Sequence, residues 1–258
     1  MGILEKMRLD GKTAFVTGGA RGIGKCLAAG LAEAGANIAI VDTDIEEARK
    51  ACDEIGKANG TRMLPLKADI TSPADMDAMI AAILKEFGRL DAAFCNAGIT
   101  NECAVEDDTW DAWRKIIEVN LNGTFLSAQA AGRAMLQQGQ GSIVLTGSMS
   151  GCIINVPQRE ASYAVSKAGV IHMAKAMAIE WAARGVRVNC ISPGYMATEM
   201  TLNTPALVPL IGQWNELSPM HRMGTPDELQ SIAVYLAGDT SSFTTGANFL
   251  IDGAYTCF

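Results

Sequence analysis

Thr13-Ala14-Phe15-Val16-Thr17-Gly18-Gly19-Ala20-Arg21-Gly22-Ile23-Gly24 is a short apolar run that stops at a glycine cluster. A stretch rich in Ala and Leu follows as far as Gly35. The order is strand, loop, helix. A helix start offers unpaired N–H groups and the positive end of the helix dipole, and the two together attract a pyrophosphate. Gly18 allows the tight turn, and Gly22 and Gly24 permit close approach of ligand and strand to the backbone. Glycines also end strands where no ligand binds, so the loop alone is a weak sign. Its position between a strand and a helix is the context that dinucleotide binding requires.

Outward from this unit the pattern repeats. Further short strands are expected at Asn37–Val41, Arg62–Ala68, Asp91–Cys95, Ser142–Thr146, Arg187–Ile191 and Asn248–Ile251, with helices near 45–59, 73–87, 109–137, 161–184 and 226–237. Such alternation gives βαβ units, hence an α/β fold: a doubly wound parallel sheet of about seven strands with helices on both faces. No linker, repeat or charge run divides the chain, so residues 1–258 read as one nucleotide-binding domain. The least regular stretch, 194–222, mixes prolines with Trp214 and several Met and Leu residues. It follows the carboxyl end of a strand, where open α/β sheets bind ligands, and reads as a substrate lid; a hairpin closing the sheet edge is the plainer alternative.

Composition narrows the function. With 49% hydrophobic residues, 26 Gly and 8 Pro among 258 residues, the chain has material for a sizeable core. The net charge of −7 sets it against nucleic-acid partners, which favour basic surfaces. Seven cysteines without a Cys-x-x-Cys pair suit free thiols in a reducing cytoplasm, and neither His172 nor His221 has partners spaced for a metal. The charged start, MGILEKMRLDGK, lacks the apolar core of a secretory signal, and no apolar run is long enough to span a membrane. The expectation is a cytoplasmic protein.

Asp42 closes the second strand, eighteen residues beyond Gly24. A carboxylate there accepts hydrogen bonds from the two adenine-ribose hydroxyls and repels a 2′-phosphate, which favours NAD(H) over NADP(H). The plainer role is a helix N-cap, since Asp42-Thr43-Asp44 precedes a helix, and Arg21 offers a 2′-phosphate a counter-charge. Further on, Tyr163 and Lys167 stand four apart at the start of an Ala-rich helix and share a face. A lysine ammonium favours the phenolate and is expected to bring the phenol's pKa from about 10 toward neutrality, making it an acid/base for an alcohol.

TGGARGIG, Asn96-Ala97-Gly98, Asn120, Gly147-Ser148, Tyr163/Lys167 and Pro193-Gly194 occur in the order found in the short-chain dehydrogenase/reductase family, and the resemblance covers essentially the whole chain. It implies a three-layer Rossmann fold. It also implies that Tyr163 is the general acid/base, that Lys167 tunes it and holds the nicotinamide ribose, that Ser148 bonds the substrate oxygen and that Asn120 anchors a water beside Lys167. Asp69 and Ile70 match the adenine-contacting pair, and Asn96, Ala97 and Gly98 the turn beside the ribose. Pro193, Gly194 and Met196 match the nicotinamide contacts, and Thr198 lies near the carboxamide. With Gly18, Arg21, Gly22, Ile23, Gly24 and Asp42 they complete the cofactor set. The text here is Thr146-Gly147-Ser148-Met149-Ser150, and Ser148 rather than Ser150 aligns with the family's catalytic serine.

Substrate contacts are expected from Ser148, Ser150, Asn155, Gln158 and Tyr163, with Glu160 nearby, because polar side chains in this loop suit a molecule with several hydroxyls. The stretches GSMSGCIINVPQ and EWAARGVRVNCISPGYMATEMT resemble those of polyol dehydrogenases and ketose reductases of the galactitol, sorbitol and mannitol type. The resemblance implies reversible oxidation of a sugar alcohol to a ketose. The alternatives are a 3-oxoacyl-carrier-protein reductase, a broad-specificity alcohol dehydrogenase, or a cofactor-binding sensor without turnover. Small residues crowd 161–184 and 128–134, which suits close helix packing; in family members these helices form two-fold interfaces, and a homotetramer is expected.

Overall fold

Each apolar run is flanked by segments that hydrogen-bond it in parallel register. The strands are β1 (Thr13–Thr17), β2 (Asn37–Asp42), β3 (Met63–Lys67), β4 (Ala92–Cys95), β5 (Gly141–Thr146), β6 (Val186–Pro193) and β7 (Asn248–Ile251). The computed structural model, which describes residues 2–257, joins them in one sheet of order β3-β2-β1-β4-β5-β6-β7, with every neighbouring pair parallel. The helices are α1 (Ile3–Lys6), α2 (Gly22–Glu33), α3 (Ile45–Asn59), α4 (Pro73–Phe87), α5 (Trp110–Ile117), α6 (Thr124–Gln138), α7 (Ala161–Trp181), α8 (Glu199–Asn203), α9 (Ile211–Leu217) and α10 (Gln230–Ala237).

Successive residues of a strand point to opposite faces, and the sheet uses both. Phe15, Ala93, Cys95, Ile143 and Leu145 pack on one side with Ile83 of α4, Ala131 of α6 and Val170 of α7. Ala14, Val16, Ala92, Phe94 and Val144 pack on the other with Leu27 of α2, Ala51 of α3 and Leu236 of α10. This is why the strands read as continuous apolar runs rather than alternating ones. Burying a large apolar side chain of this kind stabilises the fold by about 1.5–3 kcal/mol. The helix starts are fixed locally: Ser72 accepts the Asp75 N–H at 3.2 Å to cap α4, with Pro73 first in the helix.

Two expected helices differ in detail. The 109–137 segment is α5 and α6 joined by a π-helical turn, Glu118–Gly123. The extra residue in that turn re-aims Asn120, whose side chain is fully buried, and the Thr124 hydroxyl takes up the Asn120 carbonyl at 2.6 Å. The segment near 226–237 opens as a 3-10 turn, Pro226–Leu229, before α10, because Glu228 folds back to accept the Thr225 N–H at 2.8 Å. The irregular 194–222 stretch contains α8, a 3-10 turn at Val208–Leu210 and α9. Among the described residues, no helix is long and apolar enough to cross a membrane.

Candidate active site

Strand order reverses at β1, whose neighbours are β2 and β4, so the loops leaving β1 and β4 diverge and open a crevice at the carboxyl edge. A cluster of hydrogen bonds ties the two loops. The Thr17 hydroxyl accepts the N–H groups of Asn96 at 2.9 Å and Ala97 at 3.1 Å, and the Asn96 amide donates to the carbonyls of Thr17 at 3.1 Å and Gly18 at 3.4 Å. Thr146, at the end of β5, donates to the Asn96 amide oxygen at 3.4 Å. Asn96 is thus a clamp on the glycine loop. Thr17 and Thr146 are the partners that motif reading missed; their shared mark is a Thr-Gly pair at a strand's carboxyl end.

The loop fits a dinucleotide. Gly18 and Gly22 sit at φ +61° and +53°, where side chains are strained. A Cβ on Gly18 would come within 3.0 Å of Ala97, and one on Gly24 within 2.1 Å of the Gly18 carbonyl, so these two close the loop on itself. At Gly22 the nearest atoms are those of Thr198, 3.8 Å away, which leaves the surface of the loop open. No side chain caps α2, and Arg21 at its N-cap leaves the first-turn N–H groups of Gly22, Ile23 and Gly24 without a side-chain acceptor. Uncapped N–H groups at the positive end of a helix dipole suit an anion.

At the end of β2, Asp42 accepts the N–H of Ala20 at 3.3 Å and of Asp44 at 3.1 Å. Asp44, not Asp42, caps α3 by accepting the Glu47 N–H at 3.2 Å. The capping alternative therefore belongs to Asp44. Arg21 is drawn to Asp44 at 3.0 Å and Glu47 at 3.5 Å. Asp69 is exposed and holds Thr71 through its N–H at 2.9 Å and hydroxyl at 2.8 Å, while Ile70 is buried against Gly123.

Asn120, Ser148, Tyr163 and Lys167 gather beyond β4 and β5. Asn120 exchanges two hydrogen bonds with the backbone of Ile99, both at 2.8 Å, and donates to the Ser166 hydroxyl at 3.1 Å. Lys167 is buried, donates to the Thr146 carbonyl at 2.8 Å, and has its ammonium 5.6 Å from the centre of the Tyr163 ring. Gly98 makes room for both: a Cβ there would lie 3.3 Å from the Asn120 oxygen and 3.4 Å from Nζ of Lys167.

The ionisation behaviour corrects the expectation for Tyr163. Desolvation of the half-buried phenol pushes its pKa up to about 12; hydrogen bonding from Ser148 draws it down, and the Glu160 charge adds to the rise. Burial lowers Lys167 to about 8. In the protein alone, desolvation of both groups outweighs any help the ammonium gives the phenolate. The phenol is thereby held as a proton donor through neutral pH.

Pro193 ends β6, and the Gly194 N–H donates to Ile251 at 2.9 Å. Gly194 lies against Asp252, 2.7 Å from where a Cβ would be. Met196 is buried and bridges to Gly224. Thr198 caps α8 by accepting the Thr201 N–H at 3.2 Å and faces Gly22, so the start of the 194–222 segment lies across the glycine loop. The substrate loop is partly committed to that segment. Asn155 donates to the Tyr195 hydroxyl at 3.1 Å, and Gln158 accepts from Tyr195 at 2.9 Å and from the Trp214 indole at 3.0 Å. Tyr195 and Trp214 stack at 4.1 Å. Asn155 and Gln158 therefore brace their loop against the 194–222 segment, and neither aromatic was picked out in the sequence as their partner. Ser150 lies closer to the centre, next to Ser148.

The family model described as enoyl-(acyl carrier protein) reductase matches residues 18–256. A solved short-chain type dehydrogenase/reductase from Mycobacterium marinum superposes with a TM-score of 0.96 at 42% identity, covering all of both chains. The chain belongs to the short-chain dehydrogenase/reductase family, whose members bind nicotinamide cofactors. Among curated relatives, galactitol 2-dehydrogenase (L-tagatose-forming) of Cereibacter sphaeroides is 41% identical over 96% of each chain. A probable NADP-dependent mannitol dehydrogenase of Yarrowia lipolytica is 39% identical over 99% of this chain and 91% of its own.

Thr17→Val keeps the shape of the buried side chain but removes the acceptor for two N–H groups. Each orphaned N–H costs about 1–3 kcal/mol, so the urea midpoint should fall and NADH titrated by fluorescence should bind more weakly. Unchanged values of both would show that the clamp does not hold the loops.

Proposed function

We propose that this protein is an NAD(H)-dependent dehydrogenase that interconverts a sugar alcohol and a ketose, with residues 1–258 acting as one catalytic domain. The observation that carries the reading is the gathering of Ser148, Tyr163 and buried Lys167 beside a crevice whose glycine loop fits a pyrophosphate. Two relatives are named for galactitol and mannitol, both linear polyols. The family model carries an acyl-reductase description, but the nearby polar set of Ser148, Ser150 and Glu160 suits hydroxyls better than an acyl chain.

A bound nicotinamide would supply the acceptor or donor of the hydride for the alcohol carbon. Tyr163 gives the proton to the ketone oxygen in reduction and, as the phenolate that forms as pH rises, takes it from the alcohol in oxidation. Ser148 bonds that oxygen and orients it. Lys167, anchored on Thr146, holds the ribose and places its charge beside the phenol. Asn120 spans Ile99 and Ser166, fixing the turn that faces Lys167. The 194–222 segment serves as the lid, braced on Asn155 and Gln158 through Tyr195 and Trp214.

The cofactor preference rests on charge. Arg21 pairs with Asp44 and Glu47, Glu47 pairs also with Lys50, and Asp42 lies next to Asp44, so three carboxylates outnumber two cations and a 2′-phosphate meets a net negative surface. The name of the Yarrowia relative points the other way, toward NADP, and Asp42 is what favours NAD(H) in this chain. Assembly into a homotetramer is supported by the small residues of α6 and α7 and by exposed apolar side chains on them, Phe125, Val165 and Ile179.

Tyr163→Phe should abolish turnover of polyols and ketoses while NADH still binds, because only the titrating proton is lost. Near-normal activity would refute the assignment. Asp42→Ala should narrow the preference for NAD(H) by about tenfold or more through loss of two ribose bonds and relief of repulsion. A wild-type enzyme that prefers NADPH would overturn the charge argument. Light scattering at micromolar concentration should give four times the 27.2 kDa chain mass; a fully active monomer would exclude the tetramer.

A further inference from the structure

Ser148 does not stand alone in the crevice. Its hydroxyl donates to the Ser150 hydroxyl at 3.2 Å, and Ser150 donates in turn to Oε1 of Glu160 at 2.9 Å. The Ser150 N–H donates back to the Ser148 oxygen at 3.1 Å. Ser148 and Ser150 are both buried, and Glu160 is half-buried at the start of α7, three residues before Tyr163. The segment carrying the carboxylate is pinned from outside: Cys103 bridges to Glu160, and the Cys103 N–H donates to the Arg159 carbonyl at 2.8 Å.

A chain of hydroxyls has a direction set by the group at its end. An ionised carboxylate only accepts, so it fixes Ser150 as a donor to itself and leaves the Ser150 oxygen to accept from Ser148. The Ser148 proton is then spent on Ser150, and Ser148 meets the substrate as an acceptor. That suits an alcohol, which has a proton to donate. A protonated carboxyl can donate, and the chain then reverses: Glu160 to Ser150, Ser150 to Ser148, Ser148 to the substrate. That suits a ketone, whose oxygen only accepts.

We infer that Glu160 is a positioning residue whose protonation state sets, through Ser150, whether Ser148 offers the substrate a lone pair or a proton, and so which of alcohol and ketone the site binds more tightly. This rests on the role proposed for Ser148. No atoms are transferred along the chain; the two serine hydroxyl protons reorient, and the carboxyl proton is exchanged with solvent.

The surroundings favour the protonated form of Glu160 more than water does. Burial raises the Glu160 pKa above the ordinary carboxylate value, the Ser150 hydrogen bond opposes the rise, and the Glu102 charge adds to it. The groups facing Glu160 are Ser150 from the 149–151 turn, Glu102 and Cys103 from the segment after β4, and Tyr163 from its own helix. No lysine or arginine offsets its charge among the described residues. Because the folded-state pKa is raised, the protonated form gains population as pH falls through a window above the usual carboxylate range. A buried carboxylate beside a catalytic tyrosine is otherwise costly, and it also raises the Tyr163 pKa.

The test measures dissociation constants against pH by calorimetry for the two non-reacting complexes, ketose on the NAD+ form and polyol on the NADH form, in wild type, Glu160→Gln and Ser150→Ala. In wild type, ketose should bind about tenfold tighter, and polyol weaker by a similar factor, as pH falls and Glu160 gains its proton. Both variants should lose this opposed shift; Glu160→Gln keeps the shape but not the charge. A wild-type protein without the opposed shift overturns the inference whatever the variants do. Variants that keep it also overturn it. If Tyr163→Phe is active, the underlying assignment fails instead, which separates the two results.

Discussion

The loops after β1 and β4 leave the sheet in opposite directions, and the Thr17 hydroxyl with the Asn96 amide holds them together at the point of divergence. Parallel strands bring every strand's carboxyl end to one edge, but on their own they leave loops free to splay. The clamp turns that edge into a shaped crevice. On one side the glycine loop offers the first-turn N–H groups of α2; on the other Gly98 leaves space before Asn120 and Lys167. Thr146 extends the same network, since it donates to Asn96 through its side chain and accepts Lys167 through its carbonyl. The nucleotide end and the chemical end of the crevice thus share three polar residues.

Burial then sets the chemistry. Lys167 is placed deep enough to lose part of its preference for charge, and the phenol of Tyr163 is held neutral well above its ordinary range. Both shifts have the same cause, removal from water, and they move in opposite directions because one charged form is a cation and the other an anion. A proton can therefore sit on the phenol through neutral pH. Glu160 stands in the same pocket, and Ser150 links its carboxylate to the Ser148 hydroxyl. The π-helical turn at Glu118–Gly123 has a comparable purpose: the inserted residue aims Asn120 inward, where an unbroken helix would carry it around the axis.

The 194–222 segment shows how polar loop residues can be committed to packing. Asn155 and Gln158 were chosen in the sequence as hydroxyl binders, and both instead spend hydrogen bonds on Tyr195 and Trp214. One Asn155 oxygen remains buried and without a partner. Stacking of Tyr195 on Trp214, with Tyr255 edge-on at 5.3 Å, makes this a rigid wall. Ser148, Ser150 and Glu160 are hydrogen-bonded to one another instead of to this segment.

Local pattern was sufficient for the strands, most helices and the motif residues, because apolar runs, a glycine cluster at a strand end and a Tyr-x-x-x-Lys spacing each reflect short-range geometry. Asp42 could be placed at the end of β2 but not separated from a capping role until Asp44 was seen to take the Glu47 N–H. Partners distant in the chain were beyond reach: Thr17 meets Asn96, Lys167 meets Thr146, and Gln158 meets Trp214 only after the sheet has brought them together. The pKa of Tyr163 misled for the same reason. Spacing along a helix reports that Lys167 shares its face, whereas the balance between a cation's attraction and the loss of water depends on everything packed around both groups, and that is decided by the tertiary fold.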